Sequence, residues 1–565
     1  MKRNISHLTN QQFDVLVIGG GITGANIAWD ATLRGLRVAL VEKNDFGGAT
    51  SSNSLKTVHG GLRYLQDANF RLVRKMIKER QAYLRIAPHL VRPLPVIMPT
   101  YKNKLMHSKL ALGTAVKLND LAGYDRNTGM DPARILPNSR IFSRSQLESR
   151  IPGLHDEAIN GGVMWHDAQV VNTERFLLSF LLSAAEAGAV VANYVRVVEF
   201  LLERGRVSGV TAVDELTGQA VDIQARIVVN AAGPWVDELL QTLGTEGVTP
   251  KFRLSTAMNL VTRQILPDHA LGIKSHFMHV LPDGSAEKRS RMLFIAPWRG
   301  YSIAGTIHTP YQGSANDNWV TERAIADFVE ELNRAYPRAA LQHEDVYHVH
   351  RGFLPMLPND TDPATVKLVR EGRIFDHYAE SGLTGLLTVV GVKFTTARFL
   401  AEKTVNVIFH KLQRPSPACK TATTQLYGGQ IRHYDTFVAA AMERWSVEMP
   451  PFQLHRLLTN YGSSHRYLLL YISENQAWAQ PLTEDTAVTG AEVIHAVRAE
   501  TARKLSDVVL RRTDMGSASK PSNECLEAAA RLMALELGWD EKRVEKEVKE
   551  VETNYYLPDT HSAKH

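Results

Sequence analysis

The stretch from Phe13 to Glu42, FDVLVIGGGITGANIAWDATLRGLRVALVE, decides the fold that this sequence predicts. Its apolar opening, FDVLVI, predicts a buried strand that passes into a glycine-rich turn, GGGITG, at 19–24. A helical stretch follows at 25–34, and a second apolar run at 37–41 ends on an acid. Strand, glycine turn, helix, strand and terminal acid are the parts of a dinucleotide-binding unit.

Three glycines of this turn have separate physical roles in such a unit. Gly19 permits the tight turn, Gly21 lets the backbone approach a pyrophosphate, and Gly24 lets the helix pack closely on the strand. The helix N-terminus offers free N–H groups to the phosphates. Glu42, which follows Gly24 by 18 residues, is positioned to accept hydrogen bonds from ribose hydroxyls. The glycine pattern alone fits NAD, FAD, or a glycine-rich turn in another α/β protein.

Length and composition bound the class of protein. The chain has 565 residues and 44% hydrophobic content, enough for two or three domains with cores of their own. Its two cysteines, Cys419 and Cys525, form no disulfide framework, which fits a reducing compartment. The N-terminal segment lacks an apolar signal core, so secretion is not expected. The most apolar long window, 176–195, contains Glu186 and predicts a core helix and strand, not a membrane span.

The positive charge of the chain is concentrated in one segment. The formal net charge is +6, but eleven Lys or Arg and one acid, Glu79, lie between Arg71 and Lys117, so this segment alone carries +10. Apolar residues are interleaved with the basic ones. Such a segment could lie on an anionic membrane surface. It could equally be a solvated basic face, or a field that attracts an anionic substrate. No nucleic-acid-binding module is recognisable.

The residues just after the opening stretch are small, polar and rich in glycine. Residues 44–66 read NDFGGATSSNSLKTVHGGLRYLQ, and such a loop can run along a planar cofactor. The strings ATSS at 49–52 and HGGLRYL at 59–65 closely resemble the FAD-dependent glycerol-3-phosphate dehydrogenases and their oxidase relatives. This resemblance implies FAD as the cofactor. It also implies that residues 51–53 contact FAD, that His59 lies at the reactive flavin edge, and that Arg63 and Tyr64 face the substrate.

Four later segments resemble the same family. They are AAGPW at 231–235, the hairpin strings PWRG and GTIHTPY within 297–311, HRGFLP at 350–355, and GVKFTTAR at 391–398. By this likeness Arg351 faces the substrate, and Lys393 directs a cation toward flavin or substrate. The cofactor-binding residues implied by these segments and the glycine turn are Gly19, Gly21, Gly24, Glu42, Thr50, Ser51, Ser52, Gly60, Gly61, Ala232, Gly233, Gly391, Lys393, Thr395 and Thr396.

The sequence also departs from the family pattern near the substrate. His308 stands where the family usually has Asp. Thr256-Ala257 and Asn259 stand where the family often has a Lys-Gly pair and a following His. Val392 replaces a glycine. The missing lysine removes one cationic contact near the substrate, which leaves the exact substrate open.

The chemistry expected of this site is oxidation of a secondary alcohol. A hydride passes from a C–H bond to flavin N5 while a base takes the hydroxyl proton. His59 is the expected base, because imidazole can accept a proton near neutral pH. Arg63, Arg351 and Arg370, with Lys393 nearby, are expected to bind a phosphate, since the planar guanidinium bonds two oxygens at once. His59, Arg351 and Lys393 are the predicted catalytic residues, and Tyr64 joins the substrate site. No metal site is expected.

The predicted fold class is α/β, with a Rossmann-like FAD-binding domain, a mixed β-sheet substrate domain and a C-terminal α-helical domain. Helix candidates in the last domain are 442–471, 490–510, 522–537 and 542–554, and no chemistry is assigned to it. The predicted domain ranges are 13–95, 156–240 and 350–410 for FAD; 96–155 and 241–349 for substrate; and 420–555 for the helical domain.

By the same resemblance, the expected function is oxidation of sn-glycerol 3-phosphate to dihydroxyacetone phosphate, with electrons passed to a quinone at the cytoplasmic face of a membrane. The resemblance also implies a homodimer as one expected assembly. Three alternatives stay open at this stage: a glycerol-3-phosphate oxidase, an amine or amino-acid oxidase of the same superfamily, and a non-catalytic flavin-binding membrane protein.

Overall fold

A computed structural model describes residues 1–102, 104–154, 156–244, 252–280, 285–357, 366–446 and 449–555. The strands within these residues are β1 Phe13–Ile18, β2 Val38–Val41, β3 Thr57–Val58, β4 Val91–Tyr101, β5 Arg140–Ser143, β6 Ile159–Val170, β7 Val190–Ala192, β8 Val195–Glu203, β9 Arg206–Asp214, β10 Ala220–Asn230, β11 Arg253–Arg263, β12 Ala270–Val280, β13 Ala286–Trp298, β14 Tyr301–Tyr311, β15 Val346–Met356, β16 Arg373–Asp376 and β17 Leu386–Val390.

The α-helices are distributed along the whole chain, and the last seven form the C-terminal part. They are α1 Ser6–Thr9, α2 Ile22–Leu33, α3 Phe70–Ile86, α4 Lys109–Ala122, α5 Arg144–Glu148, α6 Thr173–Glu186, α7 Val236–Gln241, α8 Glu322–Ala335, α9 His377–Ser381, α10 Ala397–Lys411, α11 Tyr434–Trp445, α12 Pro451–Tyr461, α13 His465–Glu474, α14 Gly490–Glu500, α15 Leu505–Asp507, α16 Asn523–Leu537 and α17 Glu541–Glu552. A π-helical turn, Val508–Arg512, continues α15.

The first sheet contains the strands that the opening stretch predicts. Its order is β16-β17-β10-β1-β2-β7, and β8 and β9 extend it from β10. β1 runs parallel to both β10 and β2. Val15 and Val17 pack with helices α2, α6 and α10 on one face, whereas Leu16 and Ile18 pack with β8 and β9 on the other. Burial on both faces explains why the run at 13–18 is apolar without alternation.

The second sheet is larger and mostly antiparallel. Its order is β15-β11-β14-β13-β12-β4-β6-β3, with β5 on β6, and α8 packs against it. β4, β6 and β15 all belong to this sheet, so the predicted domain boundaries at residues 95, 156 and 350 do not follow the division between the sheets. The reason is physical, because the apolar pattern of a strand does not indicate which sheet the strand will join.

Two other regions complete the description of the helices. The segment 101–153 contains the 14-residue helix α4, whose N-terminus is capped by the Ser108 hydroxyl. The single helix expected over 442–471 is three helices. Pro451 starts α12 at its first position, and Gly462 ends it, so neither the preceding nor the following helix is continuous with α12.

Candidate active site

The two sheets and the C-terminal helices border a cavity of about 2900 Å³, and most of the predicted site residues line it. Gly24, Ser52, Gly60 and Thr396 lie behind its surface. The predicted site residues on the surface are Gly19, Gly21, Glu42, Thr50, Ser51, His59, Gly61, Arg63, Tyr64, Ala232, Gly233, Arg351, Arg370, Gly391, Lys393 and Thr395.

The glycine turn forms one end of this cavity and leaves little space for side chains. Gly19 has φ +109°, and a Cβ there would lie 2.6 Å from the carbonyl oxygen of Ala231. A Cβ on Gly24 would lie 1.9 Å from the carbonyl oxygen of Gly19. At Gly21 the nearest atom is the Ser51 Oγ at 3.3 Å, so a side chain would point into the cavity and not into protein. This cradle fits a pyrophosphate beside the N-terminus of α2.

Glu42 stands at the end of β2 and is held by backbone amides. Its Oε2 accepts from Gly20 N at 2.7 Å, and its Oε1 accepts from Asn44 N at 2.9 Å. Burial raises the pKa of Glu42, which these hydrogen bonds only partly offset. Each carboxylate oxygen can accept a second hydrogen bond. The acid can therefore bind ribose hydroxyls as predicted while it also fixes the glycine turn.

The polar loop after Gly48 uses its hydroxyls on the protein itself. Thr50 Oγ1 donates to the Phe353 carbonyl oxygen at 3.0 Å, and Ser51 Oγ accepts from Ile22 N at 3.0 Å. Ser52 Oγ donates to the Gly47 carbonyl oxygen. The Asn53 side chain accepts from the backbone N–H of Arg351, on β15. These contacts connect both sheets through the loop. Because the hydroxyls already bond within the protein, the loop offers FAD its backbone atoms more than its hydroxyl groups.

The remaining predicted cofactor segments come from the ends of β10 and β17. Ala232 and Gly233 follow β10, and Gly233 has φ +58°, which favours glycine. A Cβ on Gly391 would lie 2.3 Å from Thr23 Oγ1, in the first turn of α2. Thr395 is buried in the short turn Phe394–Thr396 that leads into α10. The parallel strands β1, β10 and β17 thus bring three distant segments to one edge of the sheet.

His59 is held at the cavity surface by a buried acid that sequence analysis did not single out. Its Nδ1 lies 3.1 Å from Asp167 Oδ2, and its side chain is 39% exposed. Asp167 also accepts from Gly60 N at 2.7 Å and from the buried Arg80 at 2.8 Å. Burial acts to raise the pKa of Asp167, but the contacts with His59 and Arg80 lower it to about 2. With the Nδ1 proton donated to this carboxylate, Nε2 is the nitrogen that can accept a proton.

Asp167 was missed because its partner is 108 residues away. The strand β6 carries both Trp165 and Asp167 to the cavity, and only the register of β6 with its neighbours brings the acid beside His59.

Lys56 lies between the family-like strings ATSS and HGGLRYL, and its side chain is fully buried. It donates to Thr173 and pairs with Glu174, each at 2.6 Å, so it anchors the loop to α6.

Two predicted basic residues lie beside Tyr64. Lys393 donates to the carbonyl oxygen of Arg370, and its Nζ lies 4.7 Å from the centre of the Tyr64 ring. Arg63 is exposed and lines the cavity from the short turn Leu62–Leu65. The structure therefore brings Arg63, Tyr64 and Lys393 to one wall of the cavity.

The two other predicted arginines differ in burial. Arg351, on β15, is half-buried and its guanidinium donates to Asn318 Oδ1. Burial lowers the pKa of Arg351. Arg370 is 67% exposed at the rim and pairs with Asp67 at 2.8 Å. Arg351 is the better positioned of the two for a substrate inside the cavity, because Arg370 is both solvated and already paired.

The departures at Thr256-Ala257, Asn259 and His308 lie on two paired strands, β11 and β14, whereas Val392 follows β17. Asn259 Oδ1 accepts from Thr306 Oγ1 at 2.7 Å, and Asn259 is buried. His308 contacts the carbonyl oxygen of Thr256 at 3.3 Å, and burial lowers its pKa to about 4, so it is neutral at pH 7. An Asp at position 308 would carry a negative charge, whereas this His does not. This wall of the cavity is therefore less acidic than the family pattern implies.

Within the described residues, no group of three or more His, Cys, Asp or Glu side chains is arranged to hold a metal ion. No helix in that part of the chain is long and apolar enough to cross a membrane.

Comparisons with known proteins agree with this geometry. The family model described as FAD dependent oxidoreductase matches residues 14–403, and the model for the C-terminal domain of alpha-glycerophosphate oxidase matches residues 419–544. The chain belongs to the FAD-dependent oxidoreductase family, and within it to the glycerol-3-phosphate dehydrogenases. Its cofactor is accordingly FAD, which the glycine cradle and Glu42 fit.

The individual relatives match nearly the whole chain. A glycerol-3-phosphate dehydrogenase of Synechocystis sp. is 30% identical over 554 residues, 97% of each chain. An aerobic glycerol-3-phosphate dehydrogenase of Staphylococcus haemolyticus is 29% identical over 519 residues, 90% of this chain and 87% of the relative. The structure of the Bacillus halodurans glycerol-3-phosphate dehydrogenase complexed with FAD superposes with a TM-score of 0.76 at 27% identity, covering 98% of this chain and 96% of that one.

Proposed function

We propose that this enzyme oxidises sn-glycerol 3-phosphate to dihydroxyacetone phosphate and passes the electrons to a quinone. The observation that carries the proposal is a proton acceptor, His59 on Asp167, in the same cavity as Arg63, Arg351 and Lys393. Oxidation of a secondary alcohol that bears a phosphate requires a proton acceptor and positively charged phosphate-binding side chains in the same site. The names of the relatives support the same substrate.

The residues of the chain perform three tasks in this reaction. His59 Nε2 takes the proton of the substrate hydroxyl, and Asp167 stabilises the imidazolium that forms. Arg63 and Arg351 bind the phosphate, which carries roughly −1.5 to −2 charges at pH 7. Lys393 adds a third positive charge. FAD, when bound, supplies the hydride acceptor, and through it the two electrons of the substrate pass on to the quinone.

The acceptor proposal draws support from an exposed apolar face beside the cavity mouth. Leu105 and Leu110, before and within α4, are 85% and 81% exposed. Met106, Leu118 and Met278 are exposed and also line the cavity. Of the apolar residues interleaved with the basic segment, Leu72, Val73, Met76 and Ile77 on α3 are buried in the core, whereas Leu105, Met106 and Leu110 are exposed. We propose that this face, with its lysines, rests on the cytoplasmic side of an anionic membrane. A homodimer stays a prediction.

The test is anaerobic reduction of the bound flavin. Purified enzyme with FAD should lose its visible flavin absorbance on addition of sn-glycerol 3-phosphate, and a water-soluble quinone analogue should restore it without hydrogen peroxide. If amino acids bleach the flavin instead, or if no tested substrate bleaches it, the assignment of sn-glycerol 3-phosphate as the substrate is wrong. Rapid reoxidation by oxygen with peroxide release would indicate an oxidase.

The membrane contact has its own measurement. Replacing Leu105 and Leu110 by Ser should reduce co-sedimentation with vesicles containing anionic lipid, while flavin reduction is kept. Equal sedimentation of variant and parent would contradict the contact.

A further inference from the structure

The C-terminal helices touch the FAD-binding half of the molecule through a cluster of buried charges. We name Asp45, Asn193, Asp507, Arg511 and Arg512 the clamp cluster. Asp45 belongs to the loop after Glu42, and Asn193 follows β7, whereas the other three lie in or beside the π-helical turn Val508–Arg512 of the C-terminal part. The side chains of Asp45 and Arg512 are each 1% exposed.

Asp45 has a hydrogen-bond donor on every side of its carboxylate. Its two oxygens accept from the two terminal nitrogens of Arg512, each at 2.7 Å. Oδ1 also accepts from Asn193 Nδ2 at 2.9 Å, and Oδ2 from Arg511 Nε at 2.5 Å. Such a two-pronged contact fixes direction as well as charge. Burial acts to raise the pKa of Asp45, but the guanidiniums of Arg512 and Arg511 hold it below its usual range.

The second acid of the clamp cluster extends these contacts to Tyr194, which lies between β7 and β8. Asp507 Oδ1 accepts from Arg511 at 2.8 Å and from the Tyr194 hydroxyl at 2.6 Å. The Tyr194 backbone N–H in turn donates to the Asn44 carbonyl oxygen at 3.0 Å. Two acids and two arginines balance in charge, so removal of one of them leaves a buried charge without its partner, which is strongly unfavourable.

The position of Asp45 determines the position of residues that line the cofactor cavity. Glu42, at the start of this loop, holds Gly20, and Gly47, two residues after Asp45, donates from its N–H to the Gly20 carbonyl oxygen at 3.0 Å. The clamp cluster is thus connected to the glycine turn from both sides of Asp45. The C-terminal part also lines the same cavity directly, through Lys504, Ser506 and Arg511.

From these contacts we infer that the C-terminal helical domain is a component of the FAD site. Asp45, Arg511 and Arg512 act as positioning residues, which hold the loop at 43–48 in the shape that receives the nucleotide part of FAD. FAD affinity therefore depends on residues more than 450 positions beyond the glycine turn, although none of them belongs to the dinucleotide-binding unit.

The test measures FAD binding to apoprotein, by titration with quenching of FAD fluorescence. Arg512→Met and Asp45→Asn should each raise the dissociation constant for FAD by about 30-fold or more, because each removes a charge-assisted contact that fixes the loop. Arg512→Lys, which keeps the charge without the two-pronged contact, should fall between Arg512→Met and the parent enzyme. An unchanged dissociation constant in a folded Arg512→Met protein would overturn the inference.

A matched control separates loss of the clamp from general loss of stability. Arg456 is also paired with two acids, Glu492 at 2.7 Å and Asp514, but these contacts lie within the C-terminal part. Arg456→Met should lower the melting temperature of the apoprotein and change the dissociation constant for FAD by less than about threefold. An equal loss of FAD affinity in this control would also overturn the inference, since it would assign the effect to destabilisation.

A second measurement needs no variant and covers the case in which Arg512→Met does not fold. Binding and docking are linked reciprocally, so FAD should stabilise the docked state of the C-terminal part. Addition of FAD to the apoprotein should slow amide hydrogen exchange in 505–513 more than in α13, which lies outside the clamp cluster. Equal exchange in 505–513 with and without FAD would reject the coupling.

Discussion

The two ends of the central cavity are built on different physical principles. At the nucleotide end, backbone atoms close to Gly19 and Gly24 leave no space for a Cβ, and the hydroxyls of the following loop bond within the protein. At the reacting end, Arg63 is exposed and the Arg351 guanidinium donates to the Asn318 side chain. The nucleotide end is therefore specified by backbone geometry, whereas the reacting end is specified by the charge and protonation of side chains that several elements bring together.

The largest effects should come from the glycine turn, where two glycines differ in what surrounds them. Gly24→Ala should abolish stable folding, because its Cβ would lie 1.9 Å from a backbone oxygen that cannot move. Gly21→Val should leave the fold intact and abolish FAD retention, because its side chain would fill the cavity. Thermal unfolding of the apoproteins and FAD content after purification distinguish the two. FAD retention by Gly21→Val would contradict the proposal that Gly21 is needed for FAD binding and Gly24 for folding.

The next effect concerns the proton acceptor at the reacting end. His59→Asn should slow flavin reduction by about 100- to 10,000-fold with little change in substrate affinity, because general-base catalysis acts on the chemical step. Stopped-flow reduction against substrate concentration separates the limiting rate from the apparent dissociation constant. A normal limiting rate would remove His59 as the base.

Asp167→Asn is the companion variant for the same pair. It should slow reduction less than His59→Asn does, and it should shift the pH profile of the rate, because the pair no longer stabilises the imidazolium. Asp167 itself, with a pKa of about 2, stays ionised over the assay range of roughly pH 5 to 8, so its own titration does not contribute to the profile. A slower rate with an unshifted profile would indicate a purely structural role.

The smallest effects should distinguish the half-buried Arg351 from the exposed Arg370. Arg351→Met should weaken substrate binding by about 10- to 100-fold, as expected for loss of a charge-assisted hydrogen bond worth ~1.5–3 kcal/mol. Arg370→Met should change it by less than about threefold, because its 67% exposed side chain already pairs with Asp67. Substrate titrations of flavin reduction measure both. Equal losses would mean that the rim takes part in phosphate binding.

The fold around the nucleotide end could be predicted because its signals are local. The apolar run at 13–18, the glycine spacing and the terminal acid all lie within 30 consecutive residues, and together they predict a dinucleotide-binding unit. The second sheet was harder, because β4, β6 and β15 pair with strands far away in sequence. The short turn between α12 and α13 was also missed, although Gly462 gave a signal for it.

The candidate site could be predicted only in part for the same reason. His59, Arg63 and Lys393 were identified because they lie in segments that resemble a known family. Asp167 was not predicted, because its contact with His59 follows from an antiparallel pairing that no local pattern specifies. The clamp cluster had no sequence signal at all, since an Asp in a loop and two arginines in a helix are ordinary surface residues in most proteins.

The contact between Asp45 and Arg512 spans 467 residues, and this separation matters during synthesis. On the ribosome, the carboxylate of Asp45 has neither Arg511 nor Arg512 as a partner until those two residues have been made. By the inference drawn above, the loop at 43–48 therefore receives FAD tightly only after this C-terminal contact has formed, and a chain terminated before Arg511 is expected to bind FAD weakly.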